Sequence, residues 1–184
     1  NTDKICIFTN KGQMHLLKVL DLPYGKFRDK GIPIDNLSNY NSSEENFVYI
    51  INLGAIVHSR LLFGTKTAML KMVDGSEFDV AKRTTAATKL NDEDELLIVR
   101  AVTGEETVVM QSEKEMFLRI EASAIPEKKK GAVGVRGMKL NAGDALSNIY
   151  VLDGENEQTV EVKGKEVVLN RLRIGNRDTK GTKR

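Results

Sequence analysis

Tryptophan is absent from this 184-residue chain, cysteine occurs once, histidine twice and proline three times. Each shortage closes off a class of protein. A single cysteine, Cys6, cannot form an intrachain disulfide, so this is no cystine-stapled domain, and a reducing cytoplasm is the expected setting. Flanked by Ile5 and Ile7, Cys6 is expected to serve as a small buried apolar residue in a strand. One cysteine with the widely separated His15 and His58 supplies no zinc ligand set. No run of about 18 apolar residues occurs, so neither a membrane span nor a membrane partner is expected. The opening residues Asn1-Thr2-Asp3-Lys4 lack the pattern of a signal peptide and include no Met, so an excised piece of a longer protein is expected. Without tryptophan there is also no repeated Trp-Asp pair, the mark of the commonest propeller scaffolds.

What remains is 40% hydrophobic and 29% charged, the composition of a folded globular chain. Its pattern repeats. An apolar pair followed by a basic or amide residue occurs as Leu16-Leu17-Lys18, Met69-Leu70-Lys71, Phe117-Leu118-Arg119 and Val168-Leu169-Asn170. The period of about 50 residues is the length of one four-stranded propeller blade. Before each signature lies a β-rich run: Ile5 to Thr9, Leu61 to Phe63, Thr107 to Met110 and Thr159 to Val162. Turn residues such as Asn10-Lys11-Gly12 and Lys163-Gly164-Lys165 separate run from signature, which predicts a hairpin. A third run ends in leucine (Ile32 to Leu37, Thr85 to Leu90, Val135 to Leu140), and a fourth is strongly apolar (Phe47 to Ile51, Leu96 to Val102, Ala145 to Leu152). Runs of about 4 to 8 residues suit strands. Only Ala81 to Lys89 leaves room for a helical turn. The expected fold is all-β, with repeats at about 1–53, 54–103, 104–152 and an incomplete 153–184, or about three and a half blades.

Charge is segregated within each repeat, although the net charge is only +2. The loop after the second strand is basic: Lys26, Arg28 and Lys30; Lys82 and Arg83; Lys128, Lys129 and Lys130, with Arg136 and Lys139 beyond; and Arg171, Arg173, Arg177, Lys180, Lys183 and Arg184. The turn between the third and fourth strands is acidic, at Glu44-Glu45, Asp92 to Glu95, and Asp144. Equivalent loops of a blade array share a face, so the basic loops are expected to form a positive band suited to phosphates. Gly131, Gly134 and Gly137 serve turns and close backbone approach, and their spacing is no dinucleotide fingerprint. Gly64-Thr65-Lys66-Thr67 lacks the upstream glycine of a phosphate-binding loop. Four adjacent acids at Asp92 to Glu95, without histidine, form a solvated turn rather than a catalytic group.

Several stretches resemble the C-terminal domain of the A subunit of bacterial type IIA topoisomerases, DNA gyrase and topoisomerase IV. They are Ile7 to Gly12, Leu17-Lys18-Val19, Arg28, Lys30 to Leu37, Ala86 to Leu90 with Asp94-Glu95-Leu96, and Lys130 to Gly137 with Leu140 and Gly143-Asp144. The resemblance implies a β-pinwheel, a propeller-like array whose blades exchange strands. It also implies that the domain binds and bends duplex DNA along a basic rim and carries no catalytic site. ATP and magnesium are then expected elsewhere in the full enzyme. The expected partners are double-stranded DNA, the B subunit, plus the remainder of the A subunit. The expected location is the cytoplasm, at the nucleoid. The tyrosines Tyr24, Tyr40, Tyr49 and Tyr150 are expected to pack rather than to cleave DNA. Gyrases carry a Gln-Arg-Arg-Gly-Gly-x-Gly box that this chain lacks; the nearest stretch is Gly175 to Gly181. That absence favours truncation or a topoisomerase IV type, and the latter is preferred. Expected DNA contacts are Lys18, Arg28, Lys30, Lys82, Arg83, Arg119, Lys128, Lys129, Lys130, Arg136, Arg171, Arg173, Arg177 and Lys180, with Lys18 and Arg119 alternatively covering apolar surface. The rival reading is a propeller scaffold for protein partners.

Overall fold

Strands that are sandwiched between neighbouring sheets must be apolar on both faces, and this sets the character of the central strands here. In the computed structural model, which describes residues 2–184, β1 (Lys4–Thr9), β4 (Arg60–Thr65) and β8 (Thr107–Ser112) are nearly continuous buried runs. Each opens a hairpin with the strand that follows: β2 (Gln13–Lys18), β5 (Met69–Asp74) and β9 (Met116–Glu121). On the other side of each hairpin lies the strongly apolar fourth run: β3 (Phe47–Asn52), β7 (Leu96–Val102) and β11 (Leu146–Leu152).

The remaining edge of each sheet is filled from the next repeat. β6 (Thr84–Ala86) pairs with β2, β10 (Val135–Arg136) with β5, and β14 (Thr182–Lys183) with β9, all antiparallel. Three four-stranded sheets result, in the orders β3-β1-β2-β6, β7-β4-β5-β10 and β11-β8-β9-β14. A two-stranded hairpin of β12 (Thr159–Val162) and β13 (Lys165–Val168) follows. This is the expected all-β pinwheel of about three and a half blades.

The core lies between blades. Phe8, Leu61, Phe63, Val73 and Phe78 join the first blade to the second, and Phe8 meets Phe63 and Phe78 edge-on. Leu62, Leu70, Val108, Met110, Ile120 and Ile149 join the second to the third. Val109, Phe117, Leu152, Leu169 and Leu172 seat the last hairpin. Cys6 is fully buried in β1, as expected.

The structure corrects four expectations. Ile32 to Leu37 is no strand: a 3-10 turn occupies Ile34–Asn36. The other third runs pair with the second strand of the preceding repeat, and among the described residues no such strand stands ahead of the first repeat. Ala81 to Lys89 holds β6 and no helix; an α-turn lies instead at Leu53–Ile56. The apolar-pair signature marks the second strand in three repeats, but out of register. Gln13, Met69 and Met116 are equivalent first positions, which aligns His15, Lys71 and Leu118, then Leu16, Met72 and Arg119. In the fourth repeat Leu169 and Asn170 lie past β13, in a 3-10 turn. Finally, Tyr24 does not pack and is wholly exposed; Tyr40 is buried against Phe47, and Tyr49 and Tyr150 are half-buried.

Candidate nucleic-acid interface

Each second strand runs away from its hairpin turn into a short 3-10 turn, at Val19–Asp21, Gly75–Phe78 and Ala122–Ala124, and β13 does the same at Leu169–Arg171. The basic loop begins there, and in the second, third and fourth repeats it is strapped onto the outer edge of the blade before. Met72 N–H donates to Pro126 O (3.0 Å) and Lys128 N–H to Met72 O (2.8 Å), a parallel bridge that turns antiparallel once the chain enters β10. Gly175 N–H donates to Arg119 O in the same way (2.8 Å), and Leu16 N–H donates to Arg83 O (2.7 Å). Residues 128–134 are therefore a tongue on the outer edge of the second blade. Gly134 closes it with φ +105°; a Cβ there would stand 2.6 Å from Leu70 O, so only glycine lets the tongue lie this close.

The expected DNA contacts distribute unevenly. Lys18, Arg28, Lys30, Lys82, Lys128, Lys129, Arg173 and Lys180 are exposed and form no ion pair among the described residues. Three others are exposed but paired: Arg83 with Asp21 (3.8 Å), Arg136 with Asp178 (2.6 Å) and Arg171 with Glu157 (3.3 Å). Two are partly engaged with backbone: Lys130 Nζ donates to Glu77 O (3.0 Å) and Arg177 to Arg136 O (2.9 Å). Arg119 is the clear correction. It is half-buried, donating to Thr107 Oγ1 (2.9 Å) and to the carbonyls of Asn170 and Leu172, so it holds the protein together rather than facing a ligand.

Beside Arg119 lies an open groove of about 330 Å³ lined by Arg173, Gly175, Lys180 and Arg184, the last a cation outside the expected contacts. In the first repeat, Lys26, Arg28 and Lys30 share their exposed loop with the wholly exposed rings of Tyr24 and Phe27. The expected contacts also passed over Lys71. It is 1% exposed, its Nζ donates to the carbonyls of Lys129 (3.1 Å), Lys130 (3.0 Å) and Ala132 (2.6 Å), and burial pushes it down to about 8, opposed by Glu77. A lone cation between Leu70 and Met72 in a buried strand was its signal in the sequence.

The acidic turns have a structural use that their solvated appearance concealed. They sit on the hairpin turns, at the opposite end of the second strand from the basic loop. Glu45 is buried, accepting from Thr9 Oγ1 (2.9 Å) and His15 Nε2 (2.8 Å). Asp94 accepts from Thr67 N–H (3.0 Å) and Thr67 Oγ1 (2.6 Å). Glu95 takes Lys66 and, from the first blade, Asn10 and Lys11; hydrogen bonding from Lys66 holds its carboxyl below the usual range. The acids of the hairpin end are thus tied up in clasps while many cations of the outer edge stay open to solvent. Among the described residues no group of three or more His, Cys, Asp or Glu could hold a metal ion, and no helix is long and apolar enough to cross a membrane.

Strand-exchanging blades with a basic outer edge define the class: a β-pinwheel of the kind found at the C-terminus of topoisomerase A subunits. The family described as DNA gyrase C-terminal domain, beta-propeller, matches residues 59–103 and again 106–153, and the chain belongs to that family. The DNA gyrase A protein of Staphylococcus epidermidis is 30% identical over 98% of this chain and 21% of its own length, and that of Lawsonia intracellularis is 29% identical over 98% and 23%. The chain thus spans about a fifth of the length of the curated relatives it matches. Among solved structures, the C-terminal domain of a DNA topoisomerase IV superposes with a TM-score of 0.88 at 21% identity, covering 98% of this chain and 58% of the other. A DNA gyrase A C-terminal domain gives 0.73 at 21% identity, covering 99% and 60%. These likenesses show the shared fold.

Proposed function

We propose that this chain is the duplex-DNA-binding and DNA-bending domain of a type IIA topoisomerase A subunit, and that it selects and presents DNA without taking part in bond chemistry. The observation that carries the reading is the recurrence of exposed, unpaired cations on structurally equivalent outer-edge loops of successive repeats. Lysine and arginine neutralise phosphates and release condensed counterions, so binding is steeply salt-dependent and weakly sequence-specific. Following an edge from blade to blade requires a bend, costing about 1–6 kcal/mol over a 20–30 base-pair site and offset by the added contacts. On this reading the domain works in the cytoplasm at the nucleoid, beside the B subunit plus the remainder of the A subunit. It has no cofactor of its own, with ATP and magnesium bound elsewhere. Of the two types a topoisomerase IV subunit is the one proposed, whereas the named curated relatives are gyrase proteins. Negative supercoiling of relaxed plasmid by the full enzyme separates the two, since it requires the gyrase type.

The test is binding of the chain to a short duplex carrying a donor and an acceptor dye at its ends, at low and moderate salt. Salt-sensitive binding with increased energy transfer, lost in Lys128→Glu/Lys129→Glu/Lys130→Glu, is expected. Absence of binding at low salt would overturn the reading in favour of a protein-binding scaffold.

A further inference from the structure

In two successive blades a cation of the second strand, the buried Lys71 and then the half-buried Arg119, is turned onto backbone of the repeat that follows. An ammonium has three donors, and Lys71 directs all three to loop carbonyls, those of Lys129, Lys130 and Ala132, with the face of Phe63 5.4 Å away. None of its protons is left for a ligand. Arg119, one register position further along and so on the opposite face of its sheet, holds the carbonyls of Asn170 and Leu172, in and just after the 3-10 turn that opens the fourth repeat's loop, while Thr107 anchors its Nε. The two residues are not equivalent in the repeat, since Lys71 aligns with Leu118 and Arg119 with Met72. Both cations bond backbone of the following repeat, but Lys71 holds the tongue itself and Arg119 the turn ahead of the corresponding loop.

The consequence is electrostatic as well as mechanical. Carbonyl oxygens carry partial negative charge and would repel a polyanion. With three of them drawn inward onto Lys71, the outer surface of the tongue is left to the side chains of Lys128 and Lys129, both exposed. Gly134 lets the tongue fold tightly against β5.

We infer that Lys71 and Arg119 are positioning residues of the DNA interface: Lys71 fixes the third repeat's basic tongue so that its carbonyls face inward and its cations outward, and Arg119 fixes the turn from which the fourth repeat's basic loop departs. This rests on the DNA-binding reading above. It assigns to two cations that do not touch DNA a share in the affinity for DNA, and it places the control of each loop in the preceding blade.

The test compares the wild-type chain, Lys71→Met, Lys71→Arg and the triple Glu variant at 128–130, each read by circular dichroism, amide hydrogen exchange and duplex binding across salt concentrations. Lys71→Met is expected to keep its β spectrum, to exchange amides 129–133 faster with the rest of the chain unchanged, and to bind duplex at least fivefold more weakly with a flatter salt slope. Lys71→Arg is expected to recover most of the loss, because it keeps the charge and the donors. Folded Lys71→Met that binds within twofold of wild type, while the triple variant loses binding, overturns the inference and leaves the DNA reading standing. Wild-type chain that does not bind at all overturns the DNA reading itself. If Lys71→Met does not fold, Arg119→Met carries the same comparison, read at amides 170–175 and by the same binding criterion.

Discussion

Asp94 and Asp144 occupy the same place in successive repeats, yet only one of them is fully bonded. Asp94 accepts from Thr67 through both oxygens, while Asp144 accepts from Lys114 N–H and Ala145 N–H through one oxygen, and its buried Oδ2 has no partner. The difference is one side chain: where the second repeat has the Thr67 hydroxyl, the third has Lys114, whose Nζ turns away to Ala142 O (3.1 Å). Lys114→Thr should supply the missing donor and stabilise the chain by about 1 kcal/mol, read as a higher urea midpoint at unchanged slope. Cys6 gives a second residue-scale expectation. Burial pushes its thiol up to about 12, so it should resist a thiol reagent at pH 8 in the folded chain and react at once in denaturant. Lys71 gives a third. Its folded value of about 8 lies below the ordinary 10.5, so between those limits the unfolded chain binds more protons and stability rises with pH. The burial cost is present in full below pH 8 and relieved above 10.5. Denaturant unfolding across that window should show wild type gaining stability relative to Lys71→Met; a flat difference would contradict the shift.

At the scale of the element, the short exchanged strands matter out of proportion to their length. β10 contributes only Val135 and Arg136, yet it closes the second blade's outer edge and anchors one end of the 128–134 tongue. Gly134→Ala combines a disfavoured positive φ with a Cβ 2.6 Å from Leu70 O. It should cost about 1–3 kcal/mol and release β10, visible as lost amide protection at Val135 and Arg136 with the β4–β5 hairpin intact. The segment Ile32 to Leu37 makes the converse point. Its sequence resembles the other third runs, yet it holds a 3-10 turn and pairs with no strand among the described residues. Ile32 beside it remains exposed, as do Leu20, Tyr24 and Phe27 in the loop before.

For the whole molecule the decisive quantity is the placement of charge and not its sum. A net charge of +2 would attract DNA feebly if it were spread evenly. Here Glu45 and Asp94 are buried on hairpin turns and Glu95 is half-buried there, while Lys128, Lys129, Arg173 and Lys180 are exposed on outer-edge loops. Replacing Lys128, Lys129 and Lys130 with glutamine should therefore weaken duplex binding about equally across sequences. It should also reduce the slope of log affinity against log salt by about 2 to 3, close to one per phosphate contact removed. A change in slope well below one would place the DNA path elsewhere on the molecule.

The sequence by itself determined the strand content, the roughly 50-residue period and the alternation of basic loop with acidic turn. Those follow from local patterning: apolar runs of strand length, turn residues between them, and charges at recurring places. It also carried the family resemblance through stretches such as Lys130 to Gly137. Only the tertiary structure decided which cations face solvent. Lys71 is buried among three carbonyls and Lys129 is exposed, because blade stacking covers both faces of β5 and leaves the tongue outside. The same holds for Arg119, which bonds carbonyls about fifty positions away in the next repeat, and for Glu45 and Asp94, whose clasps join residues about thirty positions apart. Contacts at such separations are not written in any local pattern.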